Sequence, residues 1–383
     1  MDSQKKYRGG KQLYIQHVDN DSPKPAREYL VSLGVSIEKI DILFDLNGDW
    51  KYKVDEEINP FLFTPTELKD KLIYFLTPIY DLVNISLDSI YDLGFAKHDI
   101  PHIDDVTTQV IKILEAKGSD DKTKIIATIA GVSHDLGNIF SRKYHSILSP
   151  LIFKLTFPNF KLEKHDWFRV KNAIQYHDEP VIHKEIDSWG EISSLEKIDK
   201  YREKFRQETL ALLIADKTRV NRKRLSDKNK TMEAIDNNEH YELNLLGNTE
   251  SIIINSLTAQ INFMYSPYAT EEDAQNYPGF FKKSKHFGYR AGVSKQAIEL
   301  HKLSTPIDNF SAWRHKYWKI YSDRTFLTIY SMFALFPELN EIQINMRDYI
   351  YPNSTSYEEV KYSIDRKELK NFEKFVFLKY LKK

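Results

Sequence analysis

The feature that most constrains this sequence is an apolar segment that ends in two adjacent polar residues. Residues 123–132 read TKIIATIAGV and are apolar on nearly every side of a helix, which is typical of a buried central helix. His134 and Asp135 follow it almost directly. Because burying a carboxylate is costly unless it is paired or bound to a metal, the segment predicts a helical core with a polar cluster inside it.

Other apolar helical stretches also have a histidine or an aspartate at one end. The stripe through Val106 and Val110 follows His102, and the stretches VKNAIQYHDE and ALLIADK each run into polar residues in the same way. The recurrence indicates that several helices converge on one polar site. Its candidate members are His102, His134, Asp135, His145, His177 and Asp216.

The composition limits the chemistry of such a site. The chain has 383 residues and no cysteine, which excludes disulfides, thiolate metal sites, iron–sulfur clusters and a thiol nucleophile. Any metal must therefore be held by histidines and carboxylates. Lys and Arg total 55, and Asp and Glu also total 55, so no global field attracts nucleic acid or an anionic membrane.

The N-terminal sequence and the apolar runs predict a cytoplasmic protein. The N-terminal sequence MDSQKKYRGGKQ lacks the apolar stretch of a secretory signal. No apolar run approaches the length of about 18 residues that a transmembrane helix requires. The last third is rich in Phe and Tyr, which is compatible with a homo-oligomer or with a lid over the site.

Three regions differ in their residue patterns. We expect an N-terminal extension at 1–65, in which KIDILFDLNGDWKYKV is partly extended and turns at Asn47-Gly48. Helical periodicity at 66–235 predicts a helical domain, which contains all six candidate members of the polar site. Region 236–383 predicts an α+β domain, with strands on both sides of a Gly-Asn turn near 247, strands in EIQINMRD and EVKYSIDR, and a terminal helix. The expected fold class is mainly α: a helical bundle core, a mixed α+β C-terminal domain and a small N-terminal extension.

The candidate residues form a donor set suited to divalent cations. His102, His134, Asp135 and Asp216 would make one complete site, and His145 and His177 could hold a second ion. Two ions about 3.5–4 Å apart could clamp a phosphate and activate a water molecule. His98 lies four residues before His102 and is the alternative ligand on that turn.

The order His, His-Asp, His, His, Asp resembles the HD-domain metal-dependent phosphohydrolase superfamily. The similarity covers about residues 70–235 and includes the frames HDIPH, AGVSHDLGNIFSRKYH, AIQYHDE and ALLIADKTRVNRKRL. It implies an all-helical core around one or two ions of manganese, iron, magnesium, cobalt or nickel, and hydrolysis of phosphoester bonds. The resemblance implies that His102, His134, Asp135 and Asp216 are the core ligands, and that His145 and His177 are the additional histidines of dinuclear members.

Two departures from known branches leave the substrate open. The guanosine tetraphosphate hydrolases carry a Glu-Asp pair shortly after His-Asp, and LGNIFSR lacks it. The cyclic-di-GMP branch carries His-His-Glu and a downstream Gly-Tyr-Pro, whereas this chain has His177-Asp178-Glu179 and no such tripeptide. A nucleotide or another small phosphorylated compound is therefore expected by fold analogy alone.

The expected catalytic roles follow from this interpretation. Asp135 would lie closest to the attacking water, and His145 or His177 would protonate the leaving oxygen. Positive side chains would bind the substrate phosphate. The candidates are Arg142, Lys217 and Arg224.

Three alternatives keep the same helical core. A metal-dependent nuclease would need a continuous basic groove, and nucleic acid is less favoured because aromatic residues do not alternate with the cations. A nucleotide-binding regulator would bind without turnover, although a pure sensor has little need of a full ligand set. An interaction protein that uses the core only as a scaffold is the least favoured.

Overall fold

The structure is a computed structural model that describes residues 23–91, 98–190, 193–221, 247–265, 323–349, 355 and 357–369. The described chain is mainly helical and carries a four-stranded mixed sheet in its C-terminal region, so the predicted fold class is confirmed. Its helices are α1 (Pro23–Ser32), α2 (Ile37–Leu43), α3 (Pro65–Tyr91), α4 (Ile100–Lys117), α5 (Asp121–Ser133), α6 (His145–Thr156), α7 (Lys164–Tyr176), α8 (Glu179–Asp187), α9 (Ser194–Lys204), α10 (Gln207–Thr218) and α11 (Asp323–Leu335). Its strands are β1 (Gly247–Ile254), β2 (Thr258–Tyr265), β3 (Glu341–Tyr349) and β4 (Tyr357–Asp365).

The chain divides into two compact units. The first comprises Met1–Leu87, His98–Ile111 and Ser119–Ser188, and the second comprises Asp88–Lys97, Lys112–Gly118 and Trp189–Lys383. The predicted domain boundaries near residues 65 and 235 stay predictions. Among the described helices, none is both long enough and apolar enough to pass through a bilayer.

Helix α5 is the buried centre of the first unit, as its sequence predicts. Every residue from Ile125 to Ser133 is buried. The Tyr80 hydroxyl of α3 donates a hydrogen bond to the Val132 carbonyl at 2.8 Å, which ties α3 to the end of α5. Helix α4 passes so close to α5 that a Cβ atom on Gly131 would lie 2.9 Å from Thr107 Oγ1. The end of α5 is therefore enclosed by neighbouring helices.

The apolar stripes of the other helices are also confirmed as buried surfaces. In α4, Val106 and Val110 are fully buried. In the second unit, Leu213 and Ile214 of α10 are fully buried, and α10 packs against α11. Burial of these stripes explains why the helical periodicity was readable in the sequence.

The N-terminal segment corrects part of the sequence interpretation. The stretch KIDILFDL was expected to be extended, but most of it lies in helix α2. Helix formation is favoured there because Ser36 caps the helix and its side chain accepts a hydrogen bond from Lys39 N at 3.4 Å. The turn at Asn47-Gly48 is confirmed: Gly48 has a φ of 83°, and Phe44 and Trp50 form an antiparallel bridge.

The sheet belongs to the second unit and has the order β1-β2-β3-β4. β1 and β4 pair antiparallel with their neighbours, while β2 and β3 are parallel. EIQINMRD and EVKYSIDR form strands as predicted. The predicted Gly-Asn turn is wrong, because Gly247 and Asn248 pair with Tyr265 and Met264 inside the sheet. The chain reverses instead after Ile254, and the predicted terminal helix lies largely outside the described residues.

The cap of α5 gives a pH-dependent prediction. The Asp120 carboxylate accepts a hydrogen bond from Thr123 N at 2.6 Å, and this hydrogen bond holds the pKa of Asp120 below its usual value. A lowered pKa adds stability that is present above the unfolded-state pKa and is lost as the pH falls through the folded-state pKa. We expect Asp120→Ala to lower the free energy of unfolding by about 1 kcal/mol near neutral pH, measured by chemical denaturation.

The difference between Asp120→Ala and the unchanged protein should shrink in acid, as the pH falls from the usual pKa of an aspartate toward the lower folded-state pKa of Asp120. Asp120→Asn keeps an accepting oxygen and should retain most of the stability at neutral pH. An Asp120→Ala protein as stable as the unchanged one at neutral pH would contradict this account of the cap.

Candidate metal centre

Five of the predicted site residues come together at the inner end of α5. They are His102, His134, Asp135, His145 and His177, all of them buried. Four parts of the first unit supply them. His102 lies in the first turn of α4, His134 and Asp135 follow α5, His145 begins α6, and His177 follows α7.

The five residues form two triads that share Asp135. One triad is His102, His134 and Asp135, and the other is Asp135, His145 and His177; in each, the ligand atoms lie within 4.8 Å of one another. Asp135 Oδ2 lies 3.2 Å from His134 Nε2 and 3.6 Å from His102 Nε2. Asp135 Oδ1 lies 3.7 Å from His145 Nε2. The two oxygens of one carboxylate therefore face different histidines.

Three of these histidines are oriented by the same contact. The Nδ1 atoms of His134 and His145 lie 2.7 Å from the carbonyl oxygens of Gly131 and Arg142, three residues earlier in each case. His177 Nδ1 contacts the Ile174 carbonyl in the same way. Because a carbonyl only accepts hydrogen bonds, each Nδ1 carries the proton and each Nε2 presents its lone pair to the cluster.

The spacing of these donor atoms fits a metal ion. Two ligands about 2.0–2.1 Å from one ion, at angles of about 90–109°, are separated by about 2.8–3.4 Å. The Nε2 atoms of His145 and His177 are 3.2 Å apart. Since both Nδ1 atoms carry the proton, two lone pairs face each other, and a cation between them would relieve their repulsion. The buried histidine–aspartate cluster could therefore hold a metal ion.

Electrostatics keep the donors in the forms that bind metals. Burial would raise the pKa of Asp135, but the neighbouring imidazoles of His134, His98 and His102 hold that pKa well below its usual value. Burial, with the nearby Arg142 guanidinium, lowers the pKa of His145 well below its usual range. Asp135 is thus ionised and His145 neutral near pH 7, which favours the ligand role of His145 over its predicted role as a proton donor.

Hydrogen-bonding residues that the sequence analysis did not assign hold the cluster in shape. Asn138 Nδ2 donates to Asp135 Oδ1 at 2.9 Å. Ser149 Oγ contacts the carbonyls of both His134 and His145, at 2.7 and 2.8 Å, and accepts from Gly137 N at 2.8 Å. Asn138 belongs to the HDLGN motif and could have been found there, but no local sequence pattern marks Ser149.

Ser146 and Asp178 connect the two elements that carry the second triad. Ser146 Oγ donates to Asp178 Oδ2 at 3.0 Å. These two residues directly follow His145 and His177, so their hydrogen bond lies beside the contact between the two imidazoles. This hydrogen bond links the start of α6 to the turn that follows α7.

The predicted phosphate-binding cations fall in different places. Arg142 is at the edge of the cluster, with Nη1 3.7 Å from Asp135 Oδ1 and 3.2 Å from Asn138 Oδ1. Lys217 lies in α10 of the second unit, where its Nζ is 3.0 Å from Asp216 Oδ2. Arg224 lies outside the described residues.

Two ligand assignments stay predictions. Asp216 belongs to neither triad and lies in the second unit, so its proposed role as a ligand is untested. His98 also faces the cluster, with its Nε2 3.9 Å from Asp135 Oδ2, slightly farther than His102 at 3.6 Å. The shorter distance and the membership of the first triad favour His102.

Comparison of the chain with protein-family models, with curated proteins and with solved structures finds no match. The site is therefore defined by its own geometry.

The glycine of HDLGN gives a test of this geometry. A Cβ atom on Gly137 would lie 2.2 Å from the His145 carbonyl oxygen, and backbone atoms cannot move aside cheaply. A Cβ atom on Gly131 would meet mainly the side chain of Thr107, at 2.9 Å. We expect Gly137→Ala to lower the free energy of unfolding by about 3 kcal/mol, and Gly131→Ala by less, in chemical denaturation. The opposite order would contradict the close approach.

The choice between His98 and His102 can be tested with metal analysis. We expect His102→Ala to lose about tenfold or more in affinity for the first manganese ion, because it removes a ligand of the first triad. His98→Ala is the matched control on the same turn and should change the affinity only slightly. Titration of metal-free protein with manganese, followed by electron paramagnetic resonance, measures both. A larger loss in His98→Ala would reverse the assignment.

Proposed function

We propose that this protein is a metal-dependent phosphohydrolase of the HD type. It cleaves a phosphoester bond in a nucleotide or a related small phosphorylated substrate. The observation that carries the proposal is that one buried carboxylate, Asp135, is shared by two triads with histidine ligands and has an arginine at its edge. The resemblance of HDLGN and its neighbouring frames to the HD superfamily supports the same assignment.

The donor set supports a divalent ion of the harder or borderline kind. Imidazole nitrogens and a carboxylate suit manganese, iron, magnesium, cobalt or nickel, and the sequence offers no thiolate. Bound there, one or two such ions would supply the Lewis acidity that activates a water molecule and polarises a phosphoryl group.

The residues of the chain would then position the ligands, bind the phosphate and exclude water. Asp135, held by Asn138, fixes the positions of both triads relative to each other. Arg142 has a side chain that is 37% exposed, so its guanidinium can also donate to a phosphate oxygen from the edge of the cluster. The buried imidazoles exclude bulk water from the carboxylate, which strengthens each electrostatic contact inside the site.

The main test is hydrolysis by variants of a single carboxylate. We expect Asp135→Asn to lower kcat/KM by at least about a thousandfold, because the shared ligand loses its charge. The assay uses manganese and a panel of nucleotides and phosphodiesters, with bound metal measured by mass spectrometry. Asp166→Asn is the matched control, since Asp166 is also fully buried in the first unit but pairs with Lys122 at 2.8 Å.

The panel also separates the alternatives. Turnover of single-stranded or double-stranded nucleic acid in preference to small substrates would indicate a nuclease. Metal and nucleotide binding without turnover of any member of the panel would indicate a regulator and contradict the proposed activity. Equal turnover by the Asp135→Asn and unchanged proteins would exclude the cluster as the active site.

A further inference from the structure

The two oxygens of Asp135 have different surroundings. Oδ2 faces imidazoles, with His134 Nε2 at 3.2 Å and His102 Nε2 at 3.6 Å. Oδ1 faces a hydrogen-bond donor and a cation, with Asn138 Nδ2 at 2.9 Å and Arg142 Nη1 at 3.7 Å. Oδ1 is also the oxygen nearer to His145. The second triad therefore uses an oxygen that the protein already engages with a positive side chain.

Asn138 holds this cation in place. Its amide nitrogen donates to Asp135 Oδ1, and its amide oxygen accepts from Arg142 Nη1 at 3.2 Å. Asn138 is 1% exposed, so the contact is made by a side chain with little freedom to move. Arg142 thus belongs to a short chain of hydrogen bonds that ends on the shared carboxylate.

The positive charge of the Arg142 guanidinium disfavours the binding of a second metal ion. Arginine stays charged at every accessible pH. One divalent ion together with Asp135 and Arg142 carries a net charge of about +2, and a second ion raises it to about +4. The Asp178 carboxylate, which accepts a hydrogen bond from Ser146 at 3.0 Å, lowers both sums by about one charge and leaves their difference unchanged. A phosphate dianion at Arg142 would offset the charge of the second ion.

We propose that Arg142 makes the second triad, Asp135–His145–His177, bind its metal ion tightly only together with a phosphate group. The first triad, His102–His134–Asp135, binds an ion without this requirement. This inference rests on the proposed function and adds a regulation of the same site: the substrate phosphate accepts hydrogen bonds from Arg142 and offsets the positive charge that lies 3.7 Å from Asp135 Oδ1. The protein would then be mononuclear at rest and dinuclear with its substrate.

The test counts metal ions and does not depend on turnover. Metal-free protein is titrated with manganese, with and without inorganic phosphate, and free manganese is followed by electron paramagnetic resonance. We expect one tight site without phosphate and a second site that strengthens by roughly tenfold or more when phosphate is present. His177→Ala should abolish only the phosphate-dependent site.

Variants of Arg142 separate charge from structure. Arg142→Gln should strengthen the second site by roughly tenfold in the absence of phosphate, because the opposing charge is gone. Arg142→Lys keeps the charge and should leave the second site weak without phosphate. Lys143→Gln is the matched control, since Lys143 is exposed and its Nζ lies 5.1 Å from the Tyr144 ring; it should bind manganese as the unchanged protein does.

The outcomes distinguish this inference from the proposed function. Two ions bound with equal affinity without phosphate, or no change in Arg142→Gln, would overturn the inference and leave the hydrolase proposal intact. Binding of a single ion under every condition would also overturn the inference and leave the hydrolase proposal intact. Absence of manganese binding would overturn both, whereas phosphate-dependent loading without turnover of any substrate would support the inference and contradict the hydrolase.

Discussion

The burial of one charged carboxylate is the constraint on which the rest of the first unit depends. Asp135 is 2% exposed, and an isolated carboxylate in that position would cost several kcal/mol. Four imidazoles, the Asn138 amide and the Arg142 guanidinium lie within 4 Å of its oxygens. Removal of a single partner leaves the charge less compensated, so the cluster is stable as a set rather than as separate pairs.

Helix ends supply the orientation that such a set needs. His134 and His177 are the C-terminal caps of α5 and α7, where the last backbone carbonyls have fewer partners within the helix. Each imidazole uses its Nδ1 proton on a carbonyl three residues earlier and turns Nε2 toward Asp135 or toward the other histidines. The local backbone therefore selects the tautomer that a metal ligand requires, before any ion is bound.

The sequence predicts those site residues that are marked by a pattern of neighbouring residues. Apolar periodicity identified α5, and the polar pair at its end identified His134 and Asp135. Ser149 and the role of Gly137 depend on how α6 approaches the turn after α5, which no periodicity reports. The same limit explains the errors elsewhere: the Ser36 cap outweighed the strand-like pattern of α2, and Gly247-Asn248 pair within a strand because their partners come from a later part of the chain.

Because positive and negative charges balance in the whole chain, recognition of the proposed phosphate substrate would depend on short-range contacts. With 55 basic and 55 acidic residues, the protein has no net field to attract a phosphate from a distance. Screening reduces the effect of exposed charges beyond about 8 Å at physiological ionic strength. A cation that contacts both solvent and the buried carboxylate can still act, and Arg142 meets both conditions. Under the proposed function, the same side chain would bind the anion and change the charge beside Asp135, because one guanidinium would interact with both groups.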